Sequence, residues 1–180
     1  MNEVKKWTLI DSRLLCHSEY VAVFEDEVVS PSGKNMTFTK IEMNDFVSVI
    51  PIYNNKIVMI EILRYPRNFL SLEIPSGQIE EGEAPQVAAI RELEEETGYK
   101  ARKLVSLGSY HPLARSTQKA HLFLAKNLKE GKQRLEENEQ IKVKLIDTKE
   151  LHDLLKSDTI THAPTLLTLQ KFLLSKQTKT

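Results

Sequence analysis

The chain has 180 residues, 41% of them apolar, and 25 basic side chains balance 25 acidic ones to a formal net charge of zero. That is enough for one domain with a sizeable core, or one domain with a small appendage, and too little for two full domains. A zero net charge excludes a nucleic-acid binder that relies on a broad basic field; no apolar run approaches the roughly 18 residues of a membrane span, and residues 1–7 lack a secretory core. The lone Cys16 has no partner for an internal disulfide and is expected as a small, buried or half-buried thiol in a cytoplasmic protein.

Residues 7–30 contain stretches of alternating apolar and polar side chains, and Ser30-Pro31-Ser32-Gly33 reads as a turn into a further strand over 35–42; together they predict a small antiparallel sheet. Runs rich in β-branched residues at 46–52 and 57–63, joined by Tyr53-Asn54-Asn55-Lys56, predict a hairpin. A helix is predicted over 84–97, because Pro85 suits a first turn, where its missing N–H costs nothing, and Gly98 suits the left-handed residue just past the end. Strands over 103–110, 120–126 and 140–146 follow, then helices over 148–156 and 164–174, the last offering Leu166, Leu167, Leu169 and Leu174 as apolar surface. There is no repeat and no low-complexity linker. Strands and helices intermingle without βαβ regularity, so the class is α+β, or an α/β/α sandwich around a mixed sheet.

The chemistry concentrates on the helix over 84–97. Glu92, Glu95 and Glu96 stand at i, i+3 and i+4 and project together, while Val87, Ile90, Leu93 and Thr97 are expected to form a separate packing stripe. From Glu73 to Glu96 there are eight acids and one base in a chain that is otherwise balanced. Adjacent carboxylates repel, and a hard, oxygen-seeking Mg²⁺ or Mn²⁺ is the natural counter-ion, since such ions take few protein carboxylates and complete their shell with water and substrate phosphate. A Glu-rich run by itself describes any solvated helix. The preceding glycine turn separates this one, as does Arg91, whose planar fork can pair with Glu95 or reach back to Glu83.

Gly77, Glu83, Arg91, Glu92, Leu93, Glu95, Glu96, Gly98 and Tyr99 fall at the spacing of the Nudix box, with Tyr99 where an aliphatic residue is commoner. The chain thus resembles the Nudix hydrolases, which implies the α/β/α sandwich and hydrolysis of a nucleoside diphosphate linked to another group. The stretches Leu63-Arg64-Tyr65-Pro66-Arg67 and Leu72-Glu73-Ile74-Pro75-Ser76-Gly77 are similar to those of the ADP-sugar (ADP-ribose) pyrophosphatase branch. That resemblance implies metal ligation by the Ser76 carbonyl with Glu92, Glu95 and Glu96, places Arg91 and Glu96 in the catalytic centre, and puts Arg64, Arg67 and Glu73 beside the substrate. It also implies residues 1–42 as an N-terminal sheet that crosses to a second subunit of a homodimer, and residues 43–180 as the hydrolase domain.

Related enzymes carry, on a loop about forty residues past the box, a glutamate that positions or deprotonates the attacking water. Glu137 or Glu139 fits that role, and alternation puts both on one side of an extended segment. The segment from His111 to Gln118 departs from the branch: Ala114 occupies a glycine place and Gln118 a glutamate place, so a neutral amide stands where a charge is usual, while His111 and Arg115 are candidate substrate contacts. The expected activity is metal-dependent cleavage of nucleoside diphosphate sugars of the ADP-ribose type to a nucleoside monophosphate and a sugar phosphate. The alternatives are another nucleotide substrate such as GDP-mannose, a dinucleoside polyphosphate or a nucleoside triphosphate, trimming of RNA 5′ ends, and a non-catalytic nucleotide-sensing module.

Overall fold

The computed structural model describes residues 5–135, 137 and 139–177, the side chains of Arg67 and Gln177 excepted. It divides into two compact units. The first holds three antiparallel strands in the order β1 (Thr8–His17), β2 (Val21–Val29), β3 (Asn35–Met43). Between β2 and β3 the predicted turn forms: the Gly33 N–H donates to the Ser30 carbonyl at 2.8 Å, with Gly33 at φ +82°. Residues 111–119 belong to this unit as well. They are tied to β3 by the Ile41 N–H donating to the Arg115 carbonyl at 2.8 Å and the Thr117 N–H donating to the Ile41 carbonyl at 3.0 Å. All of β1 is exposed, so Cys16 is an exposed thiol and not the half-buried one expected: its strand is the edge of a sheet that buries no side chain of β1 within this chain.

The second unit is built on a mixed sheet in the order β10 (Ile141–Asp147), β5 (Lys56–Arg64), β4 (Phe46–Tyr53), β9 (Ala120–Lys129), β8 (Lys100–Tyr110), with β6 (Phe69–Glu73) beside β5 and β7 (Ser76–Gln78) beside β4. Only β4 and β9 run parallel; the other pairs are antiparallel. The hairpin between β4 and β5 turns on Asn54 and Asn55 at φ +46° and +61°, the left-handed pair that matches strand twist and that Asn tolerates. The short β6 and β7 lie where no strand is predicted, because Pro66 and Pro75 interrupt the apolar run.

Strand alternation sends the two faces of the sheet to different helices. Val47, Val49, Val58 and Phe123 pack under α1 (Pro85–Thr97) against Ala88, Ala89 and Leu93. Ile50, Ile57, Met59 and Leu124 face α2 (Leu151–Lys156) and α3 (Ala163–Gln177), meeting Leu151, Leu169 and Phe172. Each such buried aliphatic side chain contributes about 1.5–3 kcal/mol. The helix α1 starts at Pro85 and ends at Gly98 (φ +78°), whose N–H donates to the Glu94 carbonyl at 2.8 Å. Of its expected packing stripe, Leu93 and Thr97 are buried and the other half is not. Val87 and Ile90 are exposed, and the buried side chains are Ala88, Ala89, Leu93, Glu96 and Thr97. Two alanines let the helix lie close to the sheet, and the rotation that follows turns Glu96 inward.

Candidate active site

The strand β7 delivers the chain to α1 through Gly77, whose missing side chain leaves room for the Glu92 carboxyl. A Cβ added at Gly77 would lie 2.1 Å from Glu92 Cδ, so the Glu92 carboxyl sits directly over this backbone. Arg91 ties the surrounding turn together. Its Nε and Nη2 donate to the two oxygens of Glu83 at 3.0 and 2.9 Å, Nη2 donates to the Gln78 carbonyl at 2.9 Å, and Nη1 donates to Glu92 Oε1 at 2.7 Å and Glu95 Oε2 at 3.2 Å. Both sequence-based pairings of Arg91, with Glu83 and with Glu95, are made at once.

Glu96 is the buried member of the acidic face; Glu92 and Glu95 are half-buried, with side chains 14% and 41% exposed. Burial raises the Glu92 carboxyl to about 6 against the pull of Arg91, and burial likewise holds Glu96 well above the usual carboxylate range, with the charges of Glu92 and Glu139 adding to it. The Ser76 N–H donates to Glu96 Oε2 at 2.9 Å, which fixes that carboxyl beside the backbone just ahead of Gly77.

Residues 131–135 reach this cluster because they cap the end of α1. The Arg134 N–H donates to the Glu95 carbonyl at 3.0 Å, Gln133 Nε2 donates to the Glu96 carbonyl at 2.6 Å, and Arg134 pairs with Glu94. These bonds satisfy helix carbonyls that have no partner within the helix. Gly98 comes so close to the segment that a Cβ there would stand 2.9 Å from the Gln133 nitrogen, and Leu135 packs on Ile60, Ile62 and Ile141. Beyond this anchor Glu139 is half-buried, and its negative charge raises both Glu92 and Glu96 and acts on Arg64. Glu137 is exposed in the turn before it.

A second group adjoins the first. Glu73 is 1% exposed and receives Arg64 Nε and Nη2 at 2.9 and 2.6 Å. Burial pushes the Glu73 carboxyl up, but Arg64, His162 and Ser71 together outweigh burial and the group lies below its ordinary value. His162 Nδ1 stands 3.0 Å from Glu73 Oε2 and 2.9 Å from Thr165 Oγ1, which accepts the Ile74 N–H at 3.1 Å. Burial lowers the His162 imidazole below its usual value despite the neighbouring carboxylate. Arg64, Phe69, Glu73 and His162 line a cleft of about 410 Å³. Nothing in the sequence spacing of His162 connects it to Glu73; only the packing of α3 against the sheet does.

Of the remaining candidates, the Arg67 side chain lies outside the described part of the chain. His111, Arg115 and Gln118 fall in the first unit. There His111 is exposed, the Arg115 guanidinium lies 4.6 Å from the Phe38 ring centroid, and Gln118 is buried with its amide donating to the Asn44 carbonyl at 2.7 Å.

Among the described residues, no three His, Cys, Asp or Glu side chains already stand around one point at metal-ligand spacing. The donor set nevertheless suits a hard divalent ion. It is all oxygen, two of its carboxyls are raised by desolvation and mutual repulsion, and the Ser76 backbone is fixed against one of them. Glu92, Glu95 and Glu96, with the Ser76 carbonyl, are the groups that would hold such an ion.

A glycine turn that loads a carboxylate-bearing helix against a mixed sheet, with an arginine cross-linking the turn, defines the class of a phosphoanhydride hydrolase. The chain belongs to the Nudix family: the NUDIX domain pattern matches residues 44–169. It is 32% identical over 146 residues to the ADP-ribose pyrophosphatase of Bacillus subtilis, covering 74% of this chain and 79% of that protein. It is 35% identical over 158 residues to the methanol dehydrogenase activator of Bacillus methanolicus, covering 86% and 85%. An ADP-sugar pyrophosphatase of Mus musculus shares 34% identity over 107 residues, 53% of this chain and 49% of that one. A crystal structure of an ADP compounds hydrolase has the same fold, with a TM-score of 0.89 at 20% identity over 99% of this chain and 98% of that one. Nudix hydrolases generally use divalent metal ions.

Proposed function

We propose that this enzyme is a divalent-metal-dependent pyrophosphatase of nucleoside diphosphate sugars, cleaving ADP-ribose or a close analogue to AMP and a sugar phosphate. The observation that carries this reading is that Glu92, Glu96 and Glu139 act on one another electrostatically, with Glu96 buried and the other two half-buried, beside Arg64. When bound, Mg²⁺ or Mn²⁺ neutralises the diphosphate and acidifies a water.

Glu139 accepts the proton of the attacking water and orients it for in-line attack on phosphorus. The bridging P–O bond breaks, and the leaving phosphate takes the electron pair. Arg64, held by Glu73, spends one edge of its guanidinium on that anchor and turns its remaining N–H groups to the phosphate oxygens. Arg91 keeps Glu92 and Glu95 in place through the cycle. The exposed apolar side chains of the edge strand β1, among them Leu9, Ile10, Leu14 and Leu15, support a homodimer formed through the N-terminal strands. The exposed, unpaired Cys16 thiol fits a reducing compartment such as the cytoplasm.

The test is hydrolysis of ADP-ribose, GDP-mannose, UDP-glucose, diadenosine polyphosphates and nucleoside triphosphates, each product followed separately, with Mg²⁺ and with chelator. The reading expects metal-dependent release of a nucleoside monophosphate from one or several nucleotide sugars. Turnover of triphosphates alone overturns it, and so does tight binding without any turnover. A second reading, activation of an alcohol-oxidising dehydrogenase, is favoured by the 85% coverage of the methanol dehydrogenase activator. It predicts a rise in that dehydrogenase's rate when this protein is added.

A further inference from the structure

On the side of the sheet away from α1 lies a cleft of about 500 Å³ that the proposed reaction does not use. Three lysines line it: Lys103 on β8, Lys126 on β9 and Lys176 in the last turn of α3. No carboxylate lines it, and none of the three lysines has an ion-pair partner among the described residues. Lys103 and Lys126 are direct cross-strand partners, a pairing of like charges that destabilises an antiparallel ladder unless an anion lies between them. Lys176 Nζ is held 4.5 Å from the Phe172 ring centroid, so the third charge is placed at the cleft wall.

Between the charges Val105, Leu124 and Phe172 form an apolar floor, with Ser106, Thr148 and Ser175 as neutral polar groups in the lining. Alternation on β9 separates this place from the acidic cluster. Leu124 and Lys126 face the cleft, while Ala125 packs in the core under α1.

We infer that this cleft is a second anion site, built for a small organic phosphate of mononucleotide size with a flat apolar body. The lysines take the phosphate and the apolar floor takes the body. The volume lies within the range of small-ligand sites, and a lysine cluster without acids is a point-charge receptor for phosphate rather than a bidentate one. The inference does not depend on the reaction proposed above, because no residue is shared between the two places.

The probe is AMP, titrated into isotope-labelled full-length protein in the presence of chelator, with adenosine and inorganic phosphate as companions. Saturable AMP binding is expected, with backbone amide shifts at Ser106, Lys126 and Ser175, weaker binding of inorganic phosphate and none of adenosine. The exposed strand positions tolerate a Lys103→Glu, Lys126→Glu double variant, which is expected to weaken AMP at least about tenfold while keeping the wild-type turnover of nucleotide sugars. Lys176→Ala supplies a milder second variant that leaves both strands untouched and is expected to weaken AMP measurably. Absence of saturation overturns the inference, as do shifts confined to residues 76–96 or unchanged AMP affinity in both variants.

Discussion

Among single residues, Glu96 is not interchangeable with the acids around it. Glu96 is almost wholly buried and takes the Ser76 N–H, so Glu96→Gln keeps the shape and an acceptor for that bond while removing the charge. It is expected to lose at least about a hundredfold in kcat at an unchanged melting temperature; near-wild-type turnover would remove Glu96 from the ligand set. For the water-activating group the two candidates separate by position. Glu139 is half-buried and acts electrostatically on Glu92 and Glu96, whereas Glu137 is exposed. Glu139→Gln should therefore cost roughly 10² to 10⁴ in kcat and Glu137→Gln less than about threefold. Parallel steady-state assays decide it, and the reverse order would transfer the role. The sequence left these two open because their separation arises from capping contacts of residues 131–135 with the end of α1, which no local pattern announces.

For individual elements, the short β7 and the helix it feeds depend on Gly77. Gly77→Ala would drive a methyl group into the Glu92 carboxyl, the far end of a side chain that can swing away. The expected result is a folded protein whose apparent affinity for the activating metal falls about tenfold or more, read from the Mg²⁺ dependence of turnover; unchanged activation would mean that Glu92 needs no such closeness. The strands β5 and β6 are joined by Arg64 and the buried Glu73, and removing the arginine leaves a buried carboxylate without its main partner. Arg64→Ala is expected to cost about 3 kcal/mol at pH 7.

Because the folded-state pKa of Glu73 is lowered, the stabilisation is complete above the ordinary carboxylate range. It is lost as the pH falls through the depressed value, so urea unfolding curves of variant and wild type should draw together in acid. A difference that persists or widens in acid would contradict the assignment. The helix α1 itself was legible from Pro85 and Gly98, since caps are local. Its rotation was not, because Val87 and Ile90 look like packing residues and only the close approach allowed by Ala88 and Ala89 turns them outward. For the same reason no local pattern marks His162: it meets Glu73 through α3, and the neighbouring bond from Ile74 to Thr165 spans 91 positions of sequence.

The whole molecule presents an unshielded edge. With β1 fully exposed and carrying a row of leucine and isoleucine side chains, light scattering should give a mass of twice the 20.7 kDa chain. Leu14→Arg should shift it toward the single-chain value, and a wild-type monomer at micromolar concentration would exclude the dimer. Class and layering were readable from the sequence at this scale because the alternating strands, the Asn54-Asn55 turn and the acidic helix are each signalled within a dozen residues. The union of residues 111–119 with the N-terminal strands was not, since its backbone bonds to Ile41 and the contacts of Arg115 with Phe38 and Gln118 with Asn44 join positions some seventy residues apart.

Arg91 brings its own counter-charge to the acidic turn, making five hydrogen bonds to Glu83, Glu92, Glu95 and the Gln78 carbonyl. Repulsion that would otherwise fray the start of the helix is thus balanced by a covalently attached cation that cannot diffuse away. The architecture of the turn and the loading of the catalyst are thereby uncoupled. Chelator is therefore expected to idle the proposed metal-dependent reaction without scrambling the turn, so that a returning ion would find the scaffold already assembled.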